Sequence, residues 1–325
     1  MSAEKLQILR GDVEVPIDGI LGKKVSLIGY GNQGRSHALN LRDSGLDIVI
    51  ATRSAQNATN DNFEVVTIAE ASTADLIIIA LPDELQGELY QNEILPYLNP
   101  TAVLGFIHGF SIHYGHIDPP PGVGVVMVAP KGPGVTVRER FINKTGVPAL
   151  LAVERENAGG TARSIALGWA AGIGAGRTAV IESTFADETE TDLFGEQAII
   201  VGGLATLIRA AYETLVSSGY PPELAYIECC HEVKQVADIL HEKGMSEMMA
   251  AISNTAEMGA YEAMDRLDDE HLRDHFRTIL QDIRDGSFAK RLVSNKISSK
   301  REELADHEID QIGKEIRSLM HPKTD

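Results

Sequence analysis

The amino-acid pattern predicts an α/β half followed by an all-α half, and three observations carry that expectation. Short β-branched apolar runs recur at residues 25–28, 48–51, 76–81, 103–107, 125–128, 149–153 and 178–181, separated by helix-forming sequence. Runs that are apolar at successive positions, instead of alternating, mark parallel strands covered on both faces. Beyond about residue 183 the runs cease, and segments of 3.6-residue apolar periodicity take over near 192–217, 222–242, 246–260, 270–285 and 300–319. Composition agrees with both halves: hydrophobic residues make up 43% and aromatics only 5%, so the core is aliphatic. The length suits two domains, expected at 1–182 and 183–325.

Lysine plus arginine total 29 against 47 acids, a formal net charge of −18. A surface this acidic argues against nucleic acid and anionic membrane as partners, although local cations can still hold a small anion. Cys229 and Cys230 are the only cysteines and are adjacent, which suits neither a disulfide nor a CxxC zinc site and points to a reducing compartment. The first residues lack a signal-peptide layout, and no apolar run is read as long enough to span a membrane. A cytoplasmic protein is expected.

The run 25–28 leads into Gly29-Tyr30-Gly31-Asn32-Gln33-Gly34, followed by helical sequence to Arg42 and a stop at Gly45. Strand, GxGxxG and helix in this order form the Rossmann-like dinucleotide turn. The first glycine permits the turn, the second admits the pyrophosphate and the third lets helix and strand pack closely. The phosphates would meet unpaired N–H groups at the helix start. The second strand ends Ala51-Thr52-Arg53-Ser54 with no acid for ribose hydroxyls, so Arg53 points to the 2′-phosphate of NADP(H). The plainer reading of Arg53 is a solvated surface cation.

Asp192 with Glu196, and Glu228 with Glu232, stand four residues apart in helical, apolar sequence. Taken singly, each pair reads more readily as a solvated acidic face than as a site. If the helices are buried, as their apolar neighbours suggest, four carboxylates need a compensating charge, and all-oxygen donors favour Mg²⁺ or Mn²⁺. Glu188 and its neighbours Asp187 and Glu190 are read as first-turn acids that complement the helix dipole.

Six ordered segments resemble the ketol-acid reductoisomerases (acetohydroxyacid isomeroreductases), in particular their short class I form. They are GYGNQGRSHALNLRDSG at 29–45, HGFSIH at 108–113, APKGPG at 129–134, ETETDLFGEQ at 188–197, YIECCHEVK at 226–234 and ISNTAEMG at 252–259. The resemblance implies a Rossmann domain followed by a knotted α-domain. It also implies Mg²⁺-dependent alkyl migration and NADPH reduction of 2-acetolactate or 2-aceto-2-hydroxybutyrate to 2,3-dihydroxy-3-methyl acids, in valine, leucine and isoleucine biosynthesis. Asp192, Glu196, Glu228 and Glu232 would hold two Mg²⁺ per active site, and His108 and Lys131 would line the reacting centre. Ser253 would contact the 2-hydroxy-3-keto acid, and Glu232 or a hydroxide on the metal would carry the proton. Tyr30 to Gln33, Asp83, Glu84, Leu85, Gln86 and Gly134 would touch cofactor. The partner would be a second copy of the chain, in a homodimer with shared sites.

Three places depart from the family pattern. Gln56 and Ala58 occupy the loop positions expected to contact the 2′-phosphate, Val135 replaces a frequent histidine, and the stretch after Asp285 matches weakly. The competing readings are a metal-independent NAD(P)-dependent hydroxyacid dehydrogenase or imine reductase, and a catalytically silent dinucleotide sensor.

Overall fold

The computed structural model describes residues 6–294 and 298–320. By its internal contacts the chain divides into two compact units, Met1–Thr191 and Asp192–Asp325, a division that falls inside the helix Phe185–Gly195.

The first unit is built on a nine-stranded sheet. Its strands are β1 (Ile8–Leu9), β2 (Val25–Ile28), β3 (Ile48–Ala51), β4 (Glu64–Val65), β5 (Leu76–Ile79), β6 (Val103–Phe106), β7 (Gly124–Pro130), β8 (Ala149–Arg155) and β9 (Val180–Glu182). They lie in the order β1-β9-β8-β7-β6-β5-β2-β3-β4. Most neighbours are parallel, but β7 with β8 and β1 with β9 are antiparallel. The sequence runs do not distinguish these two pairings, because a strand buried on both faces reads the same in either direction. β1 and β4 are two residues long, too short to show a pattern.

Burial on both faces follows the two-residue strand period. Leu76 and Ile78 join an apolar layer with Leu27, Ile50 and Trp169, while Ile77 and Ile79 join the opposite layer with Ile28, Leu104 and Met127. Trp169 is fully buried and its indole N–H donates to His37 Nδ1 at 3.0 Å. The chain crosses from β2 to β3 and β4 on one side, then returns to place β5 on the other side of β2. This reversal opens a crevice at the carboxyl ends of β2 and β5, the usual ligand position in an open α/β sheet.

Among the described residues, the regular elements of the second unit are all helices. The helix expected at 246–260 is two helices, Met245–Ala250 and Asn254–Leu267, because Ser253 takes an extended conformation and caps the second one, accepting from the Ala256 N–H at 3.2 Å. Likewise 300–319 resolves into Ser298–Asp306 and Glu308–Met320, and Ser287–Ser294 is a further helix. The small core comprises Tyr212, Ala225, Tyr226 and Ile316. The helical run Phe185–Ser217 is, by length and composition, apolar enough to cross a membrane, contrary to the sequence expectation. Ile199, Ile200, Val201, Leu204, Leu207 and Ile208 raise the average, although glycines, alanines and a threonine interrupt them.

Candidate active site

A cleft of about 890 Å³ occupies the β2/β5 crevice, within the range of small-molecule sites. Gly29, Tyr30, Gly31, Asn32 and Gln33 form one wall, Arg53 and Ser54 another, and Asp83, Leu85, Gln86 and His108 line it further. Gly29 has φ +104°, and a Cβ there would lie 2.4 Å from the Ala80 carbonyl oxygen. Beside Gly31 no atom lies within 4 Å of the Cβ position, which leaves space for a pyrophosphate. The side-chain oxygens of Gln33 and Gln86, two residues of the wall, are buried without a partner among the described residues.

Three of the expected cofactor residues stand off the cleft. Gly34 packs under the turn, Glu84 is exposed on the helix Asp83–Leu89, and Gly134 lies against Asn32, where a Cβ would sit 2.3 Å from the Asn32 oxygen. Gln33 Nε2 donates to the Gly132 oxygen at 2.9 Å, and Ser36 Oγ donates to the Gly134 oxygen at 2.7 Å. The loop of Lys131 is thereby tied to the dinucleotide turn. Ala58 is fully buried and Gln56 donates to Asn60, and neither lines the cleft, so the loop positions facing the ligand are Arg53 and Ser54.

At the carboxyl end of β6, His108 meets a residue whose role the sequence does not reveal. Glu188, 1% exposed, faces His108 Nδ1 at 3.0 Å, accepts from the Gly109 N–H at 2.9 Å and from Lys131 Nζ at 2.8 Å. Burial alone would raise its carboxyl, but the hydrogen bonds and charges of His108 and Lys131 outweigh it and bring the pKa down to about 2. The helix can come this close because residue 109 is glycine: a Cβ would lie 2.4 Å from Thr189 Oγ1. His113 approaches Glu190 at 3.6 Å, a second clasp between the same segments. The one sequence clue to Glu188 is its spacing, since Glu188, Asp192 and Glu196 recur every fourth residue. Its place in a first helical turn makes it look like a simple dipole partner.

The two carboxylate pairs differ from the expectation of buried helices. Glu196, Glu228 and Glu232 are exposed, as are Ile199, Ile200, Val201, Leu204 and Leu207 nearby. Among the described residues, nothing of the same chain covers the apolar faces of their helices. Among the described residues, no three of Asp192, Glu196, Glu228 and Glu232 come within 4.8 Å of one another. Burial, and then the charge of Glu228, raise the Cys229 pKa, which favours the neutral thiol and leaves the carboxylate oxygens as the natural donors. Such a donor set fits a hard divalent cation.

A dinucleotide cleft at the switch point, closed at one end by a histidine–glutamate–lysine cluster, defines a nicotinamide-dependent oxidoreductase with a helical second half. Residues 19–179 match the family described as acetohydroxy acid isomeroreductase, NADPH-binding domain, and residues 185–322 match ketol-acid reductoisomerase, C-terminal domain. The second match runs through the stretch after Asp285. A solved NADH-preferring ketol-acid reductoisomerase from an uncultured archean is 37% identical, with 96% of this chain and 99% of that chain covered and a TM-score of 0.93. The chain therefore belongs to the ketol-acid reductoisomerase family, as an oxidoreductase and isomerase of branched-chain amino-acid biosynthesis. More distant likenesses show the fold alone. A semialdehyde dehydrogenase NAD-binding protein from Cupriavidus necator, solved with calcium and NAD, is 20% identical over 81% of this chain and 99% of that one, TM-score 0.60. A putative oxidoreductase from Jannaschia sp. CCS1 is 11% identical over 80% and 97%, TM-score 0.58.

Proposed function

We propose that this chain carries out alkyl migration in 2-acetolactate or 2-aceto-2-hydroxybutyrate and then reduces the product with NADPH, as a cytosolic homodimer whose two chains share each active site. The observation that carries the site assignment is Glu188, which gathers His108 and Lys131 at the end of the dinucleotide cleft. Its carboxylate holds the His108 proton on Nδ1 and leaves Nε2 to exchange a proton with substrate. Lys131 adds a cation for an anionic acid. Ser253 caps the helix Asn254–Leu267, so its hydroxyl and the positive helix end both suit a substrate carboxylate.

Two Mg²⁺ ions, held by Asp192 and Glu196 of one chain with Glu228 and Glu232 of the other, would supply the Lewis acidity that acidifies the 2-hydroxyl and polarises the 3-ketone. Glu232 is then placed to carry the hydroxyl proton. The shared arrangement is supported by the exposure of the acid pairs beside uncovered apolar faces. NADPH is preferred on the ground that Thr52, Arg53 and Ser54 line the cleft after β3 with no acid among them. The solved archean relative prefers NADH, so cofactor choice needs direct measurement.

The test is oxidation of NADPH and of NADH with 2-acetolactate, with and without Mg²⁺. Turnover that persists after chelation would sink the metal assignment. Sharing is tested by refolding Asp192→Asn and Glu228→Gln chains as a mixture. Random pairing makes half the dimers mixed, and one site of each is intact, so roughly a quarter of all sites recover. Verified mixed dimers with no recovered activity would show that one chain supplies all four acids.

A further inference from the structure

Both acid-bearing helices are interrupted at the acids. The turn Glu196–Ile200 is a π-turn, in which the Val201 N–H reaches back five residues to the Glu196 carbonyl at 3.0 Å. The turn Ile227–His231, which carries Glu228, has the same form, and the Glu232 N–H reaches Ile227 at 3.2 Å. Such a turn holds one residue more than an α-turn, and such turns concentrate at functional sites. In the first of them the widened carbonyls press on the start of the helix Gly202–Ser217. A Cβ on residue 202 would lie 2.3 Å from the Gln197 oxygen, and one on residue 203 would lie 2.0 Å from the Ala198 oxygen. Both positions are glycine, and no real Cβ tolerates either distance.

We infer that Gly202 and Gly203 are positioning residues for the metal ligand Glu196: they permit the π-turn that fixes where its carboxylate stands. The inference rests on the reading of Glu196 as a ligand. The physical reason is contact. A methyl group added at 202 or 203 would overlap a carbonyl oxygen of Gln197 or Ala198, so the turn that carries Glu196 has to shift. Gly195, adjacent to Glu196 on its other side, is different. A Cβ there would meet only Ile200 Cδ1 at 3.6 Å, an ordinary contact.

The experiment titrates Mn²⁺ alone into the full-length protein and reads free metal from its electron paramagnetic resonance signal. Gly202→Ala and Gly203→Ala should each weaken Mn²⁺ binding about 10–100-fold, the usual effect of disturbing what orients a ligand. Gly195→Ala should bind Mn²⁺ as the parent chain does, and NADPH binding should be unchanged in all three. Parent-like Mn²⁺ binding in both glycine variants, alongside a loss in Glu196→Gln, would overturn the positioning role and leave the ligand assignment intact. Full Mn²⁺ binding by Glu196→Gln would instead remove the ligand assignment, and the positioning role with it.

Discussion

The nucleotide-binding unit and the helical unit solve the burial problem differently. In the first, both faces of the sheet are covered by the chain's own helices, and two large apolar layers enclose residues such as Leu27, Ile50, Ile77 and Trp169. In the second, the described residues form a small cluster around Tyr212 and Tyr226 with a few further buried side chains such as Ile283, while Ile200 stays 65% and Leu207 62% exposed. The first unit is finished within one chain, down to the Glu188 cluster at its cleft. The second presents acids and apolar side chains on faces that are open among the described residues, and the homodimer proposed above would cover them.

The most severe test of that contrast is Glu188→Gln. If the cluster of the first unit works as a whole, turnover falls by about 10²–10⁴-fold, the range for a proton-transfer group, while dinucleotide binding holds. Stopped-flow turnover beside fluorescence titration of NADPH separates the two, and parent-like turnover would break the assignment. Leu207→Glu addresses the other unit. A charge on its uncovered stripe should weaken self-association by roughly 30-fold or more, about 2 kcal/mol, in sedimentation equilibrium. A chain whose association is untouched would mean that this face is not where copies meet.

Arg53→Asp sharpens the account of the first unit. NADPH should weaken about tenfold more than NADH, because a repelling charge replaces a 2′-phosphate partner. Equal losses would assign the phosphate elsewhere. The smallest effect concerns His37, which burial depresses to about 3 from its ordinary 6.5. Only the unfolded chain takes up this proton between those values, so stability is lost as pH falls through that window, by about 1.4 kcal/mol per pH unit. His37→Phe should flatten this slope in urea titrations at pH 7 and pH 5.5. Glu188 acts lower: its carboxyl, about 2 when folded against 4.5 ordinarily, contributes stability that is whole above 4.5 and drains away toward pH 2.

Local chemistry explains what is legible in the sequence. Strands such as 25–28 and 76–79 are legible because burial on both faces forces every position to be apolar, and GxGxxG because each glycine answers a separate contact. The direction of β8 is not legible, since no side chain records it. The break at Ser253 is hidden because helical periodicity continues across it, and the π-turn at Glu196 because one surplus residue alters phase without altering composition. Glu188 escapes for another reason: its partners His108 and Lys131 lie 80 and 57 residues away, and only folding brings them together.

The bonds from Gln33 to Gly132 and from Ser36 to Gly134 give the first unit a mechanical property. Two side-chain donors fasten the loop bearing Lys131 to the glycine-rich turn through its main-chain oxygens. Arg53 and Ser54 stand on a different loop, outside that fastening. If they select the dinucleotide, as proposed, exchanging them should leave Lys131 where it is.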